Sequence, residues 1–196
     1  MIIVYTGTPG SGKSYHATRQ VHNCTKHGVY VIANFGVNLP KQDMQERFFY
    51  CPTSKLTVDY LLDFQKQHHK PRKESQTVVL IDECSLIFNS RDYSRADRMK
   101  WINFFAQHRH LGFDFILITQ QDRMIDRQIR GFIELEYVHR KLTNFGLKGW
   151  IMRFILHKQF ICVHKWYSIR ERIDCEFFSI KKKIASSYDT FSMFQD

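Results

Sequence analysis

Eight consecutive residues near the N terminus have the spacing of a phosphate-binding loop. Gly7, Gly12, Lys13 and Ser14 occupy the fixed positions of the pattern G-x-x-x-x-G-K-[ST]. Glycine lets the backbone turn tightly so that several N–H groups converge on one anion, and the helix predicted to follow adds its positive N-terminal end. Lys13 is predicted to reach the outer phosphates of a nucleotide, and the Ser14 hydroxyl to ligate Mg²⁺. The residues predicted to contact the nucleotide are Thr8, Pro9, Gly10, Ser11, Gly12, Lys13, Ser14 and Tyr15.

Two adjacent acidic residues, Asp82 and Glu83, follow the apolar run at 78–81. A buried strand there would carry Asp82 to the carboxyl edge of a sheet, beside the phosphate loop, where it is predicted to hold Mg²⁺ directly or through water. Glu83 is predicted to orient or deprotonate the water that attacks the γ-phosphate, which favours hydrolysis over transfer to a small molecule. A glutamate that only caps a loop or pairs with a basic residue remains the alternative.

Gln120 follows a further apolar run at 115–119. Its amide is predicted to contact the γ-phosphate or the attacking water, and a plain turn residue is the alternative. Arginines are abundant on either side of that run, and a guanidinium supplied by a neighbouring subunit can raise the rate of phosphoryl transfer by ~10³–10⁵. Arg109 and Arg130 are the candidates for this catalytic role. The sequence does not choose between them, and a surface or interface position also explains each one.

These side chains need a parallel sheet to bring them together. The apolar run at 2–5, the loop, a helical pattern at 14–27 and a β-rich run at 29–33 have β-loop-α-β order, which implies a right-handed crossover. Further expected elements are a short strand at 48–50, a helix at 57–69 with Thr57 as cap, strands at 77–81 and 113–119, a helix from Tyr93 to 110 and a short helix at 123–130.

The C-terminal part changes character. Residues 133–138, 150–156 and 159–167 are predicted to be β segments added antiparallel at the sheet edge, so that the whole chain 1–196 forms one domain and 133–183 is its basic, β-rich extension. Between 140 and 183, 11 Lys and Arg stand against 3 Asp and Glu, a net of 11 − 3 = +8. Interleaved aromatics suit single-stranded nucleic acid. Edge-strand lysines that prevent aggregation and an anionic membrane surface are equal alternatives.

The composition excludes several classes of protein. A hydrophobic fraction of 43% in 196 residues is that of a globular domain, and a net charge of +10 favours anionic partners, although a basic protein without one is the alternative. The five cysteines include no C-x-x-C pair, so reduced thiols in a cytosolic compartment are expected. No basic segment precedes the first apolar run, and no run approaches the ~18 apolar residues of a membrane span, so neither a signal peptide nor a membrane crossing is expected.

Several motifs occur in an order that resembles one family. They are Val-Leu-Ile-Asp-Glu at 79–83, His-Arg-His-Leu-Gly-Phe-Asp at 108–114, Leu-Ile-Thr-Gln at 117–120, Ile-Asp and Ile-Arg at 125–130, and Tyr-Asp-Thr at 188–190. Together with the phosphate loop, they resemble the N-terminal cytoplasmic ATPase domain of the zonular occludens toxin (Zot) family of filamentous-phage assembly proteins.

The resemblance implies a P-loop NTPase fold, a three-layer α/β sandwich with a mostly parallel central sheet and antiparallel C-terminal edge strands. It implies a Mg²⁺-dependent ATPase that powers the assembly and extrusion of filamentous phage at the cytoplasmic face of the host inner membrane. Asp82 would be the Mg²⁺ residue, Glu83 the catalytic acid and Gln120 a sensor. Expected partners are ATP, further copies of the chain in a ring, phage coat or assembly proteins and single-stranded DNA.

The sequence departs from the family in one respect, and two other functions remain as alternatives. Family members commonly continue into a transmembrane helix and a periplasmic domain, and neither follows here. The chain is therefore expected to be either a truncated product or a soluble form that other proteins attach peripherally to the membrane. The alternative functions are a nucleic-acid-binding scaffold that uses ATP as a conformational switch and, less favoured, a small-molecule kinase.

Overall fold

A central sheet flanked by helices positions every predicted site residue. The computed structural model describes residues 1–92 and 94–189, the side chains of residues 148 and 189 excepted; Tyr93 and Thr190, named above, lie outside the described residues. The strands are β1 Ile2–Thr6, β2 Tyr30–Ala33, β3 Gly36–Val37, β4 Phe48–Tyr50, β5 Thr77–Ile81, β6 Phe113–Ile118, β7 Leu135–Lys141, β8 Phe160–Trp166, β9 Arg172–Phe178 and β10 Tyr188–Asp189. The helices are α1 Lys13–Lys26, α2 Gln42–Gln45, α3 Val58–His68, α4 Arg98–Gln107, α5 Arg127–Arg130, α6 Gly146–Leu156 and α7 Lys182–Ala185.

The main sheet has eight strands in the order β4-β2-β5-β6-β1-β7-β8-β9. The six strands from β4 to β7 are parallel to their neighbours, and β8 and β9 continue the sheet antiparallel. β10 pairs antiparallel with β3 in a separate two-stranded sheet. The mostly parallel sheet with antiparallel edge strands is therefore confirmed. One detail was wrong: β7, predicted antiparallel, pairs parallel with β1, and the antiparallel addition begins only at β8.

Both faces of the central strands are buried, which explains their nearly continuous apolar sequences. In β1, Ile2 and Val4 belong to the cluster that contains the buried faces of α3 and α4, whereas Ile3 and Tyr5 pack on the other side against Ala17 of α1. The three layers expected from the sequence result from this division. Across the described ranges, none of the helices combines the length and apolar character that a bilayer span requires.

Most predicted helices are present, with shifted ends. α3 is capped as expected, since Thr57 Oγ1 accepts a hydrogen bond from the Tyr60 N–H at 3.1 Å. α4 begins only at Arg98, after Asp97, whose carboxylate accepts bonds from the Arg95 guanidinium and the Trp101 indole. The short helix expected at 123–130 is reduced to α5, preceded by a 3-10 turn at Asp122–Met124.

The C-terminal part contains the largest error of secondary structure. Residues 150–156 were predicted to be a β segment, but they lie in the helix α6. The apolar residues there recur at i, i+3 and i+4, which is helical spacing, and their β-branched and aromatic types concealed it. Gly149 also lets this helix approach the preceding turn, because an added Cβ would lie 1.9 Å from the Leu142 carbonyl oxygen. β8 was predicted, whereas β9 was not.

Candidate nucleotide-binding site

The phosphate loop connects the carboxyl end of β1 to α1. Gly7 has a φ of 143°, and a Cβ there would lie 2.3 Å from the His139 carbonyl oxygen, so only glycine fits. Gly12 adopts the left-handed conformation, with φ 93°, directly before α1. No side chain caps this helix and no acidic residue lies in its first turn, so its N-terminal N–H groups are available to an anion. The buried Ser11 hydroxyl likewise has no hydrogen-bond partner in the described part of the chain.

Lys13 lies inside this loop. Its ammonium donates hydrogen bonds to the carbonyl oxygens of Gly7 at 2.7 Å and Thr8 at 3.2 Å. Burial lowers the pKa of Lys13, while the nearby negative charges of Asp82 and Glu83 oppose that shift. The loop therefore holds a buried cation at the point where phosphate oxygens would arrive.

Asp82 and Ser14 meet at the predicted metal position. The Ser14 hydroxyl donates to Asp82 Oδ2 at 3.0 Å, across 68 residues of sequence. Burial raises the pKa of Asp82, and hydrogen bonds from the Glu83 N–H and Ser14 and the charge of Lys13 oppose the rise. A buried carboxylate beside a hydroxyl is a hard oxygen donor set, which fits Mg²⁺. The Tyr188 hydroxyl lies 3.5 Å from the same Oδ2.

Asn34 holds the backbone of Asp82 in place, a contact that the sequence analysis missed. Its Nδ2 donates to the Asp82 carbonyl oxygen at 2.9 Å, and its Oδ1 accepts from the Asp82 N–H at 2.7 Å. Asn34 directly follows β2, the strand next to β5, so its place after an apolar run was the available signal. This amide therefore fixes the backbone of Asp82, and the bonds from Ser14 and the Glu83 N–H hold its carboxylate.

Glu83 follows in an uncommon conformation. Its φ of 45° and ψ of 48° are left-handed, and its N–H donates to Asp82 Oδ1 at 2.9 Å. In the described part of the chain its half-buried carboxylate makes no hydrogen bond or ion pair, while its charge acts on Lys13. The carboxylate is therefore available to a third group, such as water.

Two cavities border the loop. The larger, about 710 Å³, has Thr8, Pro9 and Gln120 in its wall together with the exposed Arg123 and Arg140. The Gln120 carbonyl oxygen accepts the Gly7 N–H at 3.2 Å, so its side chain begins next to the loop. The smaller cavity, about 220 Å³, is lined by Gly10, Ser11, Gly12, Lys13, Ser14, Tyr15, Phe160 and Ile180. Every residue predicted to contact the nucleotide lines one of the two cavities.

The two candidate arginines lie in different places, and neither makes a hydrogen bond to the loop among the described residues. Arg109 forms an ion pair with Glu134, whose Oε1 accepts the N–H of Ile2 at 3.2 Å, so Arg109 lies at the amino end of β1, the edge opposite the loop. Arg130 ends α5, and its Nε is buried without a partner among the described residues. Burial raises the pKa of Asp122, but bonds from Arg170 and Tyr167 and the charges of Arg170 and Arg130 lower it overall, which puts Arg130 near the wall of the larger cavity.

A buried histidine pair lies behind the loop and was also missed. His16 Nδ1 and His139 Nε2 are 2.8 Å apart, and the other ring nitrogen of His139 lies 2.9 Å from the Tyr137 carbonyl oxygen. Burial lowers the pKa of His16 to about 2 and that of His139 to about 4, so both rings are neutral. With Cys162 they could offer a metal three ligand atoms within 4.8 Å of one another. Hydrogen bonding alone accounts for the ring positions.

Comparison with known sequences assigns the chain to a family. A family profile described as zonular occludens toxin (Zot) matches residues 1–193. The chain belongs to the Zot family. Its relatives include the Gene 1 protein of Escherichia phage If1, 28% identical over 134 residues, and that of Enterobacteria phage fd, 25% identical over 148 residues. These alignments cover 66% and 72% of the chain but 38% and 42% of the relatives, so it spans about two-fifths of their length.

Solved structures confirm the predicted fold. The N-terminal domain of zonular occludens toxin from Neisseria meningitidis superposes with a TM-score of 0.60 at 18% identity, covering 96% of this Zot-family chain and 98% of that one. The genome packaging NTPase B204 from Sulfolobus turreted icosahedral virus 2, in complex with ATP-gammaS, gives a TM-score of 0.55 at 17% identity, covering 92% and 98%. The fold is that of the P-loop NTPases.

Proposed function

We propose that this chain is a Mg²⁺-dependent ATPase. The observation that carries the proposal is the hydrogen bond of 3.0 Å between Ser14 and Asp82, beside a loop whose Lys13 is buried and whose helix N terminus has no side-chain cap. These groups match the parts that bind a nucleoside triphosphate with its metal ion. The N–H groups of the loop and the Lys13 ammonium would bind the phosphates, and Ser14 and Asp82 would hold Mg²⁺, which neutralises phosphate charge when bound.

Glu83 is proposed as the residue that orients or deprotonates the attacking water, and Gln120 as a contact of the γ-phosphate. Glu83 suits this role because its carboxylate adjoins Asp82 and has no other partner in the described ranges. A pair of acids in this arrangement favours water as the acceptor of the phosphoryl group. The arrangement therefore favours ATP hydrolysis over the alternative of a small-molecule kinase.

Turnover by purified variants tests these roles. Lys13→Ala is expected to lose ATP binding. Glu83→Gln is expected to retain ATP binding while its turnover falls by ~10²–10⁴-fold, the range typical of a lost general base. Glu74→Gln, an exposed acid in a loop, is the matched control and should change neither. Unchanged hydrolysis by Glu83→Gln would remove the catalytic role from that residue. ATP binding without turnover by the wild-type protein, with or without DNA, would support the switch alternative.

The arginine that completes the site is proposed to come from a neighbouring copy in an oligomer. Arg109 can serve only in this way, because its own loop lies at the opposite edge of the sheet. Whichever of Arg109→Ala and Arg130→Ala removes this arginine should then lower turnover steeply and retain ATP affinity, when the protein concentration is high enough for the oligomer to form. If both variants turn over ATP as fast as the wild-type protein, neither arginine is catalytic.

The cellular role proposed for this ATPase is the assembly and extrusion of filamentous phage at the cytoplasmic face of the inner membrane. Family membership and the phage origin of the relatives support this role. Coat or assembly proteins and single-stranded DNA are the proposed partners. DNA binding should weaken strongly between low and high salt, because it depends on phosphate contacts by the basic C-terminal part. A phage carrying Glu83→Gln should make its DNA and coat protein but release few particles.

A further inference from the structure

The apolar stripe of α6 faces solvent. Leu147, Trp150, Ile151, Phe154 and Ile155 recur at i, i+3, i+4, i+7 and i+8, with exposed fractions of 79, 61, 51, 78 and 68%. A helix of a globular domain normally turns such a stripe to the core. Here the helix is held by its other side, where Gly149 is buried against the Leu142 carbonyl. The stripe is therefore a row of neighbouring apolar side chains exposed on one helix face, and such a patch indicates an interaction site.

The charges around this stripe have one sign. From 137 to 170 the sequence contains seven Lys and Arg and neither Asp nor Glu. Arg140, Lys141, Arg153 and Lys158 form no ion pair within the described part of the chain, and the Arg153 guanidinium lies 5.5 Å from the centre of the Trp150 ring. Arg170 is the exception, since it pairs with Asp122 and Glu136. The complementary surface must therefore be both apolar and negatively charged.

We infer that α6 docks the protein on an anionic lipid bilayer, with the stripe Leu147–Ile155 buried at the level of the headgroups. A short amphipathic helix with Trp and Phe among its apolar residues and basic side chains beside them is the arrangement that binds bilayer interfaces. Anionic lipid supplies the negative charge that the segment lacks, and each nearby basic residue strengthens the attraction. The headgroup region of a bilayer is deformable, so it can cover a stripe whose side chains stand out into solvent.

The docked helix lies beside the candidate nucleotide site. Asn144 and Phe145, directly before α6, line the larger cavity together with Thr8. Docking would therefore place the carboxyl edge of the sheet, where the loop opens, next to the membrane. This inference deepens the membrane location proposed above. It is tested without nucleotide, so its failure and a failure of the ATPase proposal are distinguishable.

Vesicle co-sedimentation tests the inference. The full chain should bind vesicles of equal parts phosphatidylglycerol and phosphatidylcholine at least ~10-fold more tightly than pure phosphatidylcholine, with a blue shift of tryptophan fluorescence. Phe154→Ser/Ile155→Ser should weaken binding by at least ~10-fold, because two exposed side chains would no longer enter the bilayer. Arg153→Gln/Lys158→Gln should reduce both the preference for phosphatidylglycerol and the salt dependence, because each basic residue near the surface adds to the attraction.

The matched control is Ile169→Ser/Ile173→Ser, which changes two exposed apolar residues near the β8–β9 turn and should bind as the wild type does. The single variant Phe154→Ser should have the circular dichroism spectrum and the thermal midpoint of the wild type, which would show that weaker binding does not result from a folding defect. Absence of wild-type binding to the anionic vesicles would overturn the inference. So would a Phe154→Ser/Ile155→Ser protein that binds vesicles normally but sediments as a smaller oligomer, because the stripe would then be covered by a second copy of the chain.

Discussion

Glu83 is held in a backbone conformation that its side chain disfavours. A φ of 45° and ψ of 48° lie in the left-handed region, which costs a non-glycine residue roughly 1–2 kcal/mol. The conformation leads from β5 into the 3-10 turn at Cys84–Leu86 and keeps the Glu83 N–H on Asp82 Oδ1. Glycine would adopt it without strain, so the glutamate indicates a purpose other than stability. That purpose agrees with the proposed contact to water.

Glu83→Gly should therefore stabilise the protein while it abolishes ATP turnover. The free energy of unfolding is expected to rise by roughly 0.5–1 kcal/mol, because relief of the strained φ exceeds the added entropy of the unfolded chain. Urea unfolding and steady-state hydrolysis measure the two effects. Arg72→Gly is the matched control, with φ 57° in an exposed loop, and should give a similar gain with unchanged turnover. A loss of stability specific to Glu83→Gly would show that the carboxylate contributes to the fold.

At the scale of elements, apolar runs made most of the core predictable. β1, the loop, α1, β5 and β6 are each specified by a local pattern, and the carboxyl ends of the parallel strands then had to meet at one edge. That reasoning located Asp82 and Gln120. The same signal was present at Asn34, directly after β2, and was missed. No such pattern marks Arg170, which lies in the turn between β8 and β9 and bonds to Glu136 and Asp122. The helix α6 was also mistaken for a strand, because its β-branched and aromatic residues concealed its helical spacing.

Arg170 ties the C-terminal strands to the edge that carries the loop. Its guanidinium donates to Glu136 Oε2 at 2.5 Å and to Asp122 Oδ2 at 2.7 Å, and it lies 4.3 Å from the centre of the Tyr167 ring. Glu136 is buried and also accepts the Thr6 hydroxyl at 2.9 Å, at the end of β1. The planar fork of arginine is what allows one side chain to hold two carboxylates.

Arg170→Gln should loosen β8 and β9 more than β1 and β6. The change leaves Glu136 buried with one partner fewer, so a loss of roughly 1–3 kcal/mol is expected in urea unfolding. Amide hydrogen exchange should accelerate first in β8 and β9. Arg170→Lys should recover only part of the loss, because an ammonium lacks the fork. Arg172→Gln, an exposed neighbour on β9, should leave exchange unchanged; an equal effect at both arginines would contradict the argument.

At the scale of the whole molecule, the buried histidine pair joins the helix that follows the phosphate loop to the sheet. His16 belongs to α1 of the phosphate loop, His139 to β7, and Cys162 beside them to β8. Arg19, one turn of α1 further on, makes a bidentate contact with Glu176 of β9 at 2.6 and 2.7 Å. Neutral rings are compatible with this interior, whereas protonated rings would face each other, Arg19 and His164. Acid should therefore act on the whole fold through this pair.

The free energy of unfolding should fall as the pH drops below about 6.5. The pKa values of His16 and His139 in the folded state, about 2 and about 4, lie below the unfolded value of about 6.5. At a pH between each folded value and 6.5 the unfolded chain binds more protons than the folded chain, so acid favours unfolding. The two rings together should cost about 3 kcal/mol between pH 6.5 and 5. The buried Asp82, whose pKa is raised, acts in the opposite direction, so a variant is needed to assign the acid sensitivity to the histidines.

His139→Gln keeps a hydrogen-bonding side chain and removes the titrating ring. The change in the free energy of urea unfolding with pH should be smaller in this variant by about 1.4 kcal/mol per pH unit. His110→Gln, at an exposed position, should keep the wild-type slope. An unchanged slope in His139→Gln would mean that the acid sensitivity arises elsewhere in the fold.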